Sequence, residues 1–452
     1  MRRRFPPPVA TPPPPSRRAA ASRDSLSFIE EYLPLARLYG IPRAAADLAV
    51  AAPAGLSLPA TGVPSPAAVM ASVPPMTVVI VGNCDIVRFR GWLIRDLIAA
   101  GHRVYGCAPA DPALARQLAA LGATFVPISI ARTGTNPLRD VGDVARLARL
   151  MRSLQADIVL SYSTKANVVG TLAARLAAVP RVFVMVEGLG YAFTEGGGIR
   201  RRLLRSVLSV GFSVAFRLAD GVFVLNETDR DFVRAQGFVG KRQPVIKING
   251  TGIDLGEFAR TPVTNPGQPR FLLIARLLRE KGIPEFAAAA RLLRAEFPHA
   301  RFQLVGRFDS NPGALGQPEV AGWQEEGLIE YLGETDDVRP FLHACTVYVL
   351  PSWREGMPRT IMEALSVGRA VVTTDVPGCR ETVVDGENGF LVPARDPQAL
   401  AAAMRRFIVA PDLAVRMAEA SRKIAETRFD VSEVNRQMLR TMTAASPPGF
   451  TV

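Results

Sequence analysis

Cysteine, histidine and lysine are scarce in this chain, and each scarcity removes a class of function. The four cysteines, Cys84, Cys107, Cys345 and Cys379, include no Cys-x-x-Cys spacing, and the three histidines are His102, His299 and His343. That pattern supports neither a structural zinc site nor a disulfide framework, and it fits reduced thiols in a cytoplasmic protein. No segment approaches the ~20 uninterrupted apolar residues that a spanning helix needs. Arg2 to Arg4 are followed by no apolar run, so a signal peptide is not expected either. The formal charge of +13 suits anionic partners. Only five of the 54 basic residues are lysines (Lys165, Lys241, Lys247, Lys281 and Lys423), a skew that reads as GC-rich coding and weakens that inference. No basic stripe is interleaved with aromatics, so nucleic acid is not an expected partner.

What is present is a long chain with real cores. Its 452 residues, 48% of them hydrophobic, exceed one ordinary domain of about 150 residues. Residues 1–75 stand apart: proline tracts at Pro6 to Pro8 and Pro12 to Pro15, then Ala/Pro/Ser-rich text, read as a disordered extension or a miscalled start. From Met76 onward, short apolar runs of buried-strand type alternate with amphipathic stretches, which predicts parallel sheets covered by helices. The runs fall at Val78 to Val81, Val104 to Cys107, Thr124 to Val126, Ile158 to Leu160, Val182 to Val186 and Val222 to Leu225. After a Pro-rich linker, Phe258 to Pro269, a second series follows at Arg270 to Ile274, Phe302 to Val305, Ile329 to Leu332, Val347 to Leu350, Ala370 to Thr373 and Gly389 to Val392. The expected fold is α/β: two doubly wound Rossmann-like domains facing a central cleft, at 76–250 and 251–428. A C-terminal helix and tail, 429–452, crosses back to the first.

The most informative stretch runs from Val349 to Leu365, through Glu355-Gly-Met-Pro358 to Glu363. It reads as a strand end, a polar turn and a helix starting at Pro358, where a missing N–H is no loss. Free amides around Gly356 to Arg359 would attract an anion, and Gly356 lets it approach the main chain. Glu355 and Glu363 would repel a phosphate and suit sugar hydroxyls; a solvated turn with an ordinary helical Glu remains the alternative. A second loop, Ala275-Arg276 to Lys281-Gly282, follows the strand at Arg270 to Ile274. Arg276 can fork onto phosphate oxygens and Lys281 can act as a point charge, against the plainer reading of two solvated cations. Both features fall at strand C-terminal ends of one sheet, so together they describe a diphosphate site needing no metal. In the first half, the Gly82-Asn83-Cys84-Asp85 loop lacks the Gly-x-Gly-x-x-Gly fingerprint, which removes the main support for dinucleotide binding. The glycine-rich stretch Glu187 to Gly198 is a second substrate-facing loop, followed by a basic amphipathic segment from Arg200 to Leu218. That segment suits either an anionic membrane face or a core-packed helix with a solvated basic end.

This assembly resembles the retaining glycosyltransferases of two-domain GT-B fold that share a Glu-x7-Glu motif, known as family 4 or group 1. Glu355 with Glu363 and Arg276 with Lys281 match its motifs, and Gly250 to Asp254, Val305-Gly306, Tyr331 to Gly333 and Asp375 to Gly378 extend the match over roughly Met76 to Met442. Arg132 to Leu138 and Gly188 to Phe193 are similar to members that act on polyprenyl-diphosphate-linked sugars. The resemblance implies a transferase moving a hexose or N-acetylhexosamine from a nucleotide sugar, with UDP the expected nucleotide, to a lipid-linked saccharide. Arg276 and Lys281 would bind the donor diphosphate, Glu355 the transferred sugar and Glu363 the ribose. Arg307, Val338, Gly356, Met357 and Pro358 would complete the donor side, with Gly82, Asn83, Arg88, Lys165, Gly188 and Tyr191 on the acceptor side. No cofactor or metal is expected, and the implied location is the cytoplasm, peripheral on the inner membrane face. A nucleotide-sugar epimerase and a non-catalytic nucleotide-sugar-binding protein are the competing readings.

Overall fold

Runs of four to six apolar residues can bury both faces of a strand only if helices cover both sides of the sheet, and the chain solves this twice. The structure, a computed structural model, describes residues 74–129, 137–188, 199–311 and 313–444. The N-terminal extension therefore lies almost wholly outside the described residues, as do Tyr191, most of the glycine-rich loop around it, and Arg132 to Asn136.

The first half contains β1 (Thr77–Val81), α1 (Ile86–Ala99), β2 (Arg103–Ala108), α2 (Pro112–Ala120), β3 (Thr124–Pro127), α3 (Pro137–Ser153), β4 (Ile158–Tyr162), α4 (Thr164–Leu176), β5 (Arg181–Val186), α5 (Ile199–Leu218), β6 (Gly221–Val224), α6 (Glu227–Ala235) and β7 (Val245–Lys247). Its seven strands are parallel, in the order β3-β2-β1-β4-β5-β6-β7. Every residue of β1 and β4 is buried, as a doubly covered sheet requires.

The second half contains β8 (Arg270–Ile274), α7 (Ile283–Arg294), β9 (Arg301–Val305), α8 (Gln317–Glu325), β10 (Glu330–Tyr331), α9 (Arg339–Ala344), β11 (Val347–Leu350), α10 (Arg359–Ser366), β12 (Ala370–Thr374), β13 (Gly389–Val392), α11 (Pro397–Val409), α12 (Asp412–Ile424) and α13 (Val431–Thr443). Six parallel strands lie in the order β10-β9-β8-β11-β12-β13.

The expected strands at Arg270–Ile274, Val347–Leu350 and Gly389–Val392 have those limits, and the others differ by a residue or two. Two helix starts differ for physical reasons. The helix after Glu355 begins at Arg359, with Pro358 as its N-cap at φ −73° and ψ 107°, because an extended ψ keeps the proline outside the helical turn. The last helix begins at Val431 and not at Phe429, because Ala425–Phe429 forms a π-helical turn. That turn presents the Phe429 carbonyl to the Ile253 amide at 2.7 Å, and Val431 N donates to Ile253 O at 3.1 Å. α13 then lies on the first half, where Asn435 Nδ2 donates to Asp96 Oδ2 at 2.7 Å and Gln437 Nε2 to Lys247 O at 2.9 Å. One apolar cluster runs from Ile80 and Leu97 through Ile253 to Ile361 and Met438, so the two sheets share buried surface along this side.

Candidate active site

Strand order in each sheet reverses once, between β1 and β4 in the first and between β8 and β11 in the second. The crevice outside the carboxyl ends of such strand pairs is where open α/β sheets hold ligands. In the second sheet, the two loops at that point are locked to one another. Lys281 ends a short 3₁₀ turn, Arg279–Lys281, and Gly282 follows it at φ +73°. A Cβ on Gly282 would stand 2.0 Å from the Pro351 carbonyl oxygen, so glycine is needed both for its backbone angle and for this approach. Trp353 completes the lock, its N donating to Glu280 O at 2.9 Å and its Nε1 to Glu285 Oε1 at 3.0 Å.

The result is a preset charge pair. Lys281 Nζ stands 2.6 Å from Glu355 Oε1, and the same oxygen accepts from Ser352 Oγ at 2.7 Å. Both side chains are largely buried, 18% and 13% exposed, yet open to one side. Arg276 does not converge with Lys281 on one partner, because Asp309 Oδ2 draws its Nη1 to 2.9 Å. The two expected diphosphate cations are thus each paired with a carboxylate, and a ligand must compete with Asp309 and Glu355 for them.

α10 carries the second glutamate inward. Glu363 is 3% exposed; its Oε1 accepts from Arg359 Nε at 2.9 Å, while its buried Oε2 has no hydrogen-bond partner among the described residues. Burial pushes this carboxyl above the ordinary carboxylate range, and Arg359 opposes the shift. An orphaned buried acceptor is costly unless something supplies a donor, and sugar hydroxyls would do so. In the first turn of α10 Ile361 N already donates to Pro358 O at 3.1 Å, so helix geometry leaves the amides of Arg359 and Thr360 as the donors for an anion beside Gly356. Arg359 also reaches the other sheet, its Nη1 donating to Arg88 O at 3.1 Å and Thr251 Oγ1 at 3.3 Å.

On the first sheet, Gly82 and Asn83 follow β1, and the Tyr162 hydroxyl is 3.2 Å from both Asn83 N and Asn83 O. Lys165 sits half-buried in the first turn of α4, just after Ser163, whose φ of +74° is unusual for a residue with a side chain. Arg88 is exposed. Arg90 is buried, 2% exposed, and its Nη2 contacts Glu187 Oε1 at 2.7 Å. A Cβ on Gly356 would lie 1.8 Å from Glu187 O, so the turn between the two motif glutamates rests directly on the backbone of Glu187 and Gly188.

Further polar contacts hold the halves together around that point. Asn226 caps α6 by accepting from Asp229 N and donates from Nδ2 to Gly356 O at 2.8 Å. Arg354 Nη2 stands 3.3 Å from Asp229 Oδ1, and Lys247 Nζ 3.4 Å from Glu381 Oε2. Asp229 is 1% exposed and burial raises its carboxyl, with Arg354 pulling the other way. Arg90, Asn226 and Asp229 were not expected from the sequence, and Glu187 was placed only at the start of the glycine-rich substrate-facing stretch. Asn226 was detectable as a helix cap from Asn226-Glu-Thr-Asp229, but nothing local signals its bond to Gly356, 130 residues away. Of the outlying donor-side expectations, Arg307 is exposed and contributes a carbonyl to Leu277 N at 2.9 Å, Val338 caps α9, and Met357 is buried. Among the described residues no group of three or more His, Cys, Asp or Glu could hold a metal ion.

Comparison with known proteins bears on the family and the fold. Residues 268–409 match the family described as "Glycosyl transferases group 1", and residues 86–248 match "Glycosyl transferase 4-like domain". The N,N'-diacetylbacillosaminyl-diphospho-undecaprenol alpha-1,3-N-acetylgalactosaminyltransferase of Campylobacter jejuni is 29% identical over 330 residues, covering 70% of this chain and 85% of that protein. The UDP-Gal:alpha-D-GlcNAc-diphosphoundecaprenol alpha-1,3-galactosyltransferase of Escherichia coli is 27% identical over 277 residues, 57% of this chain and 68% of its own. Among solved structures, sucrose-phosphate synthase from Thermosynechococcus elongatus superposes with a TM-score of 0.67 at 19% identity, over 81% of this chain and 98% of that one. HepE of Anabaena in complex with UDP gives 0.65 at 21% identity, over 82% and 100%. The two matched segments take in most of both sheets, and the chain belongs to the group 1 (family 4) glycosyltransferases of GT-B fold.

Proposed function

We propose that this glycosyltransferase moves a hexose or N-acetylhexosamine from a UDP-sugar to a polyprenyl-diphosphate-linked saccharide, with retention, in the assembly of a cell-surface glycan. The observation that carries the reading is the Lys281–Glu355 pair beside the helix start at Gly356–Arg359, with the orphaned Glu363 Oε2 one helical segment further on. A diphosphate entering there trades Asp309 and Glu355 for its own oxygens on Arg276 and Lys281, while the α10 amides take the rest. Release of Lys281 frees Glu355 to accept from the hydroxyls of the transferred sugar, and Glu363 accepts from the ribose. The sugar C1–O bond to the β-phosphate breaks with its electron pair going to the phosphate oxygen, where Lys281, Arg276 and the amides hold the developing charge. The acceptor oxygen bonds to C1 on the face the diphosphate leaves, and its proton passes to the departing phosphate oxygen. The C. jejuni and E. coli relatives, which carry α-1,3 linkages and diphospho-undecaprenol acceptors in their names, support the acceptor class and the stereochemistry.

The acceptor's lipid places the reaction at a membrane face, and we propose a peripheral association on the cytoplasmic side. Support comes from Arg200, Arg201, Arg202 and Arg205 at the start of α5 and from Val210, 50% exposed, further along it. Among the described residues no helix is long and apolar enough to cross a membrane. The reading is tested by offering UDP-N-acetylgalactosamine, UDP-galactose, UDP-N-acetylglucosamine and UDP-glucose with a polyprenyl-diphosphate-linked N-acetylhexosamine and weighing the lipid product. One added sugar in α linkage is expected. Isomerised donor without acceptor would instead favour an epimerase, and wild-type transfer by the double variant Arg276→Ala, Lys281→Ala would sink the diphosphate assignment.

A further inference from the structure

The mechanism above leaves unused a partly exposed carboxylate, Glu187, whose backbone lies at the junction of the two halves. Glu187 follows β5 and touches two elements directly, α1 through Arg90 and, by its backbone, the loop after β11 through Gly356, with Asp85 after β1 as a like charge nearby. Its Oε1 is held by Arg90, whose guanidinium lies over the Tyr162 ring at 5.2 Å. Arg90 is 2% exposed, whereas the Glu187 side chain is 28% exposed, so the ion pair is anchored in the first domain and opens at its carboxylate end. A pair built only to neutralise a buried arginine would have no need to leave its carboxylate open at the junction of the two domains.

We infer that Glu187 is an acceptor-binding residue that receives a hydroxyl of the lipid-linked saccharide, and that Arg90 is the positioning residue holding its carboxylate. This rests on the transfer reaction proposed above and adds a contact on the opposite rim. The charges decide which substrate Glu187 meets. Arg90 is held by Glu187, and Asp85 acts on the same carboxylate as a like charge, so this corner suits a neutral hydroxyl better than a diphosphate. An ionised carboxylate only accepts hydrogen bonds, and a saccharide offers donors without charge. Because Gly356 rests on the Glu187 backbone, a hydroxyl held by Glu187 lies next to the loop that carries Glu355. Glu187 orients the acceptor there; the transferred proton still goes to the leaving phosphate oxygen.

Burial raises the Glu187 carboxyl, Arg90 pulls it back and Asp85 pushes it further up, while the buried Tyr162 phenol is itself raised and stays neutral. Removing Arg90 therefore keeps Glu187 protonated to higher pH.

The test uses the full chain with UDP-N-acetylgalactosamine and UDP-galactose as donors and undecaprenyl-diphosphate-linked N-acetylglucosamine as acceptor. Glu187→Gln should lower kcat/KM for the acceptor about tenfold to a hundredfold, the worth of one hydrogen bond to a charged group. UDP binding by calorimetry and donor hydrolysis without acceptor should stay within about twofold, since neither requires the acceptor. Glu187→Asp, which keeps the charge, should recover part of the loss. Arg90→Gln should shift the acid limb of the transfer profile to higher pH, whereas a purely structural role would lower the plateau and leave the limb in place. Glu187→Gln working as well as wild type, or losing UDP binding along with transfer, overturns the assignment. If wild type neither binds UDP nor transfers sugar, the proposed function falls and the inference with it; if wild type transfers and only the Glu187 expectation fails, the function stands.

Discussion

The two rims of the cleft are built in different ways. On the second sheet the polar groups come from short sequence segments: Ser352, Glu355, Arg359 and Glu363 lie within one strand-turn-helix unit, and Lys281 reaches them from one neighbouring loop. On the first sheet the principal pair, Arg90 with Glu187, joins residues 97 apart, and Asn226 extends the set to Gly356 at a separation of 130. Under the proposed roles, the rim assigned to a constant ligand, a nucleoside diphosphate, is made from one compact unit, and the rim assigned to the saccharide is assembled from several loops, each free to vary without disturbing the others.

Arg359 is where the two rims meet, and its loss is the most severe test of this contrast. Arg359→Ala strands a buried Glu363 charge and removes the bond to Arg88 O, at an expected cost of about 3–5 kcal/mol in stability. The pH dependence has a definite sign. The folded Glu363 carboxyl is raised above its unfolded value, so its contribution is most favourable at low pH and is lost as pH rises through the folded value. Without Arg359 that window extends upward, so the deficit against wild type in urea unfolding should grow between pH 5 and pH 8. An equal deficit at both would mean that Arg359 acts by packing alone.

Next in size, Lys281→Ala should cut kcat by about 10²–10³, the usual result of removing one preorganised charge donor, with weaker UDP binding. An unchanged UDP affinity would move the donor away from the second rim. Asn226→Ala removes a helix cap together with a link between the halves and should cost about 1–2 kcal/mol. If the melting temperature is unaltered, Gly356 is held by its contact with Glu187 and not by Asn226. The smallest effect is expected far from either rim. Arg301 and Glu330 form a two-bond pair at 2.6 and 2.7 Å between β9 and β10, but Arg301 is about half exposed, so Glu330→Gln should cost less than about 1 kcal/mol.

Much of the second rim was legible because local geometry determines it. A strand that ends at Leu350, a turn through Gly356 and a helix from Arg359 leave Glu355 and Glu363 little choice of position. The pairing of its cations was not legible: nothing in the sequence signals that Arg276 meets Asp309, on a loop after β9, while Lys281 meets Glu355. Strand limits were off by a residue or two where polar residues such as Arg103 and Arg301 extend the ladder beyond the apolar run. Glu187 carried no signal of its own, since a glutamate before a glycine-rich loop looks the same whether or not an arginine waits beneath it.

The amino-acid sequence by itself determined the alternation of strands and helices, the division into two sheets and the spacing of the two motif glutamates, because periodicity and helix rise act over a few residues. Only the tertiary structure decided that Lys281 meets Glu355, that Glu363 keeps one oxygen without a donor, and that Arg90 holds Glu187 against the loop of the other sheet. Those contacts depend on which strands lie side by side and how the two sheets face each other, and parallel strands bring together residues whose separation in the chain leaves no local trace.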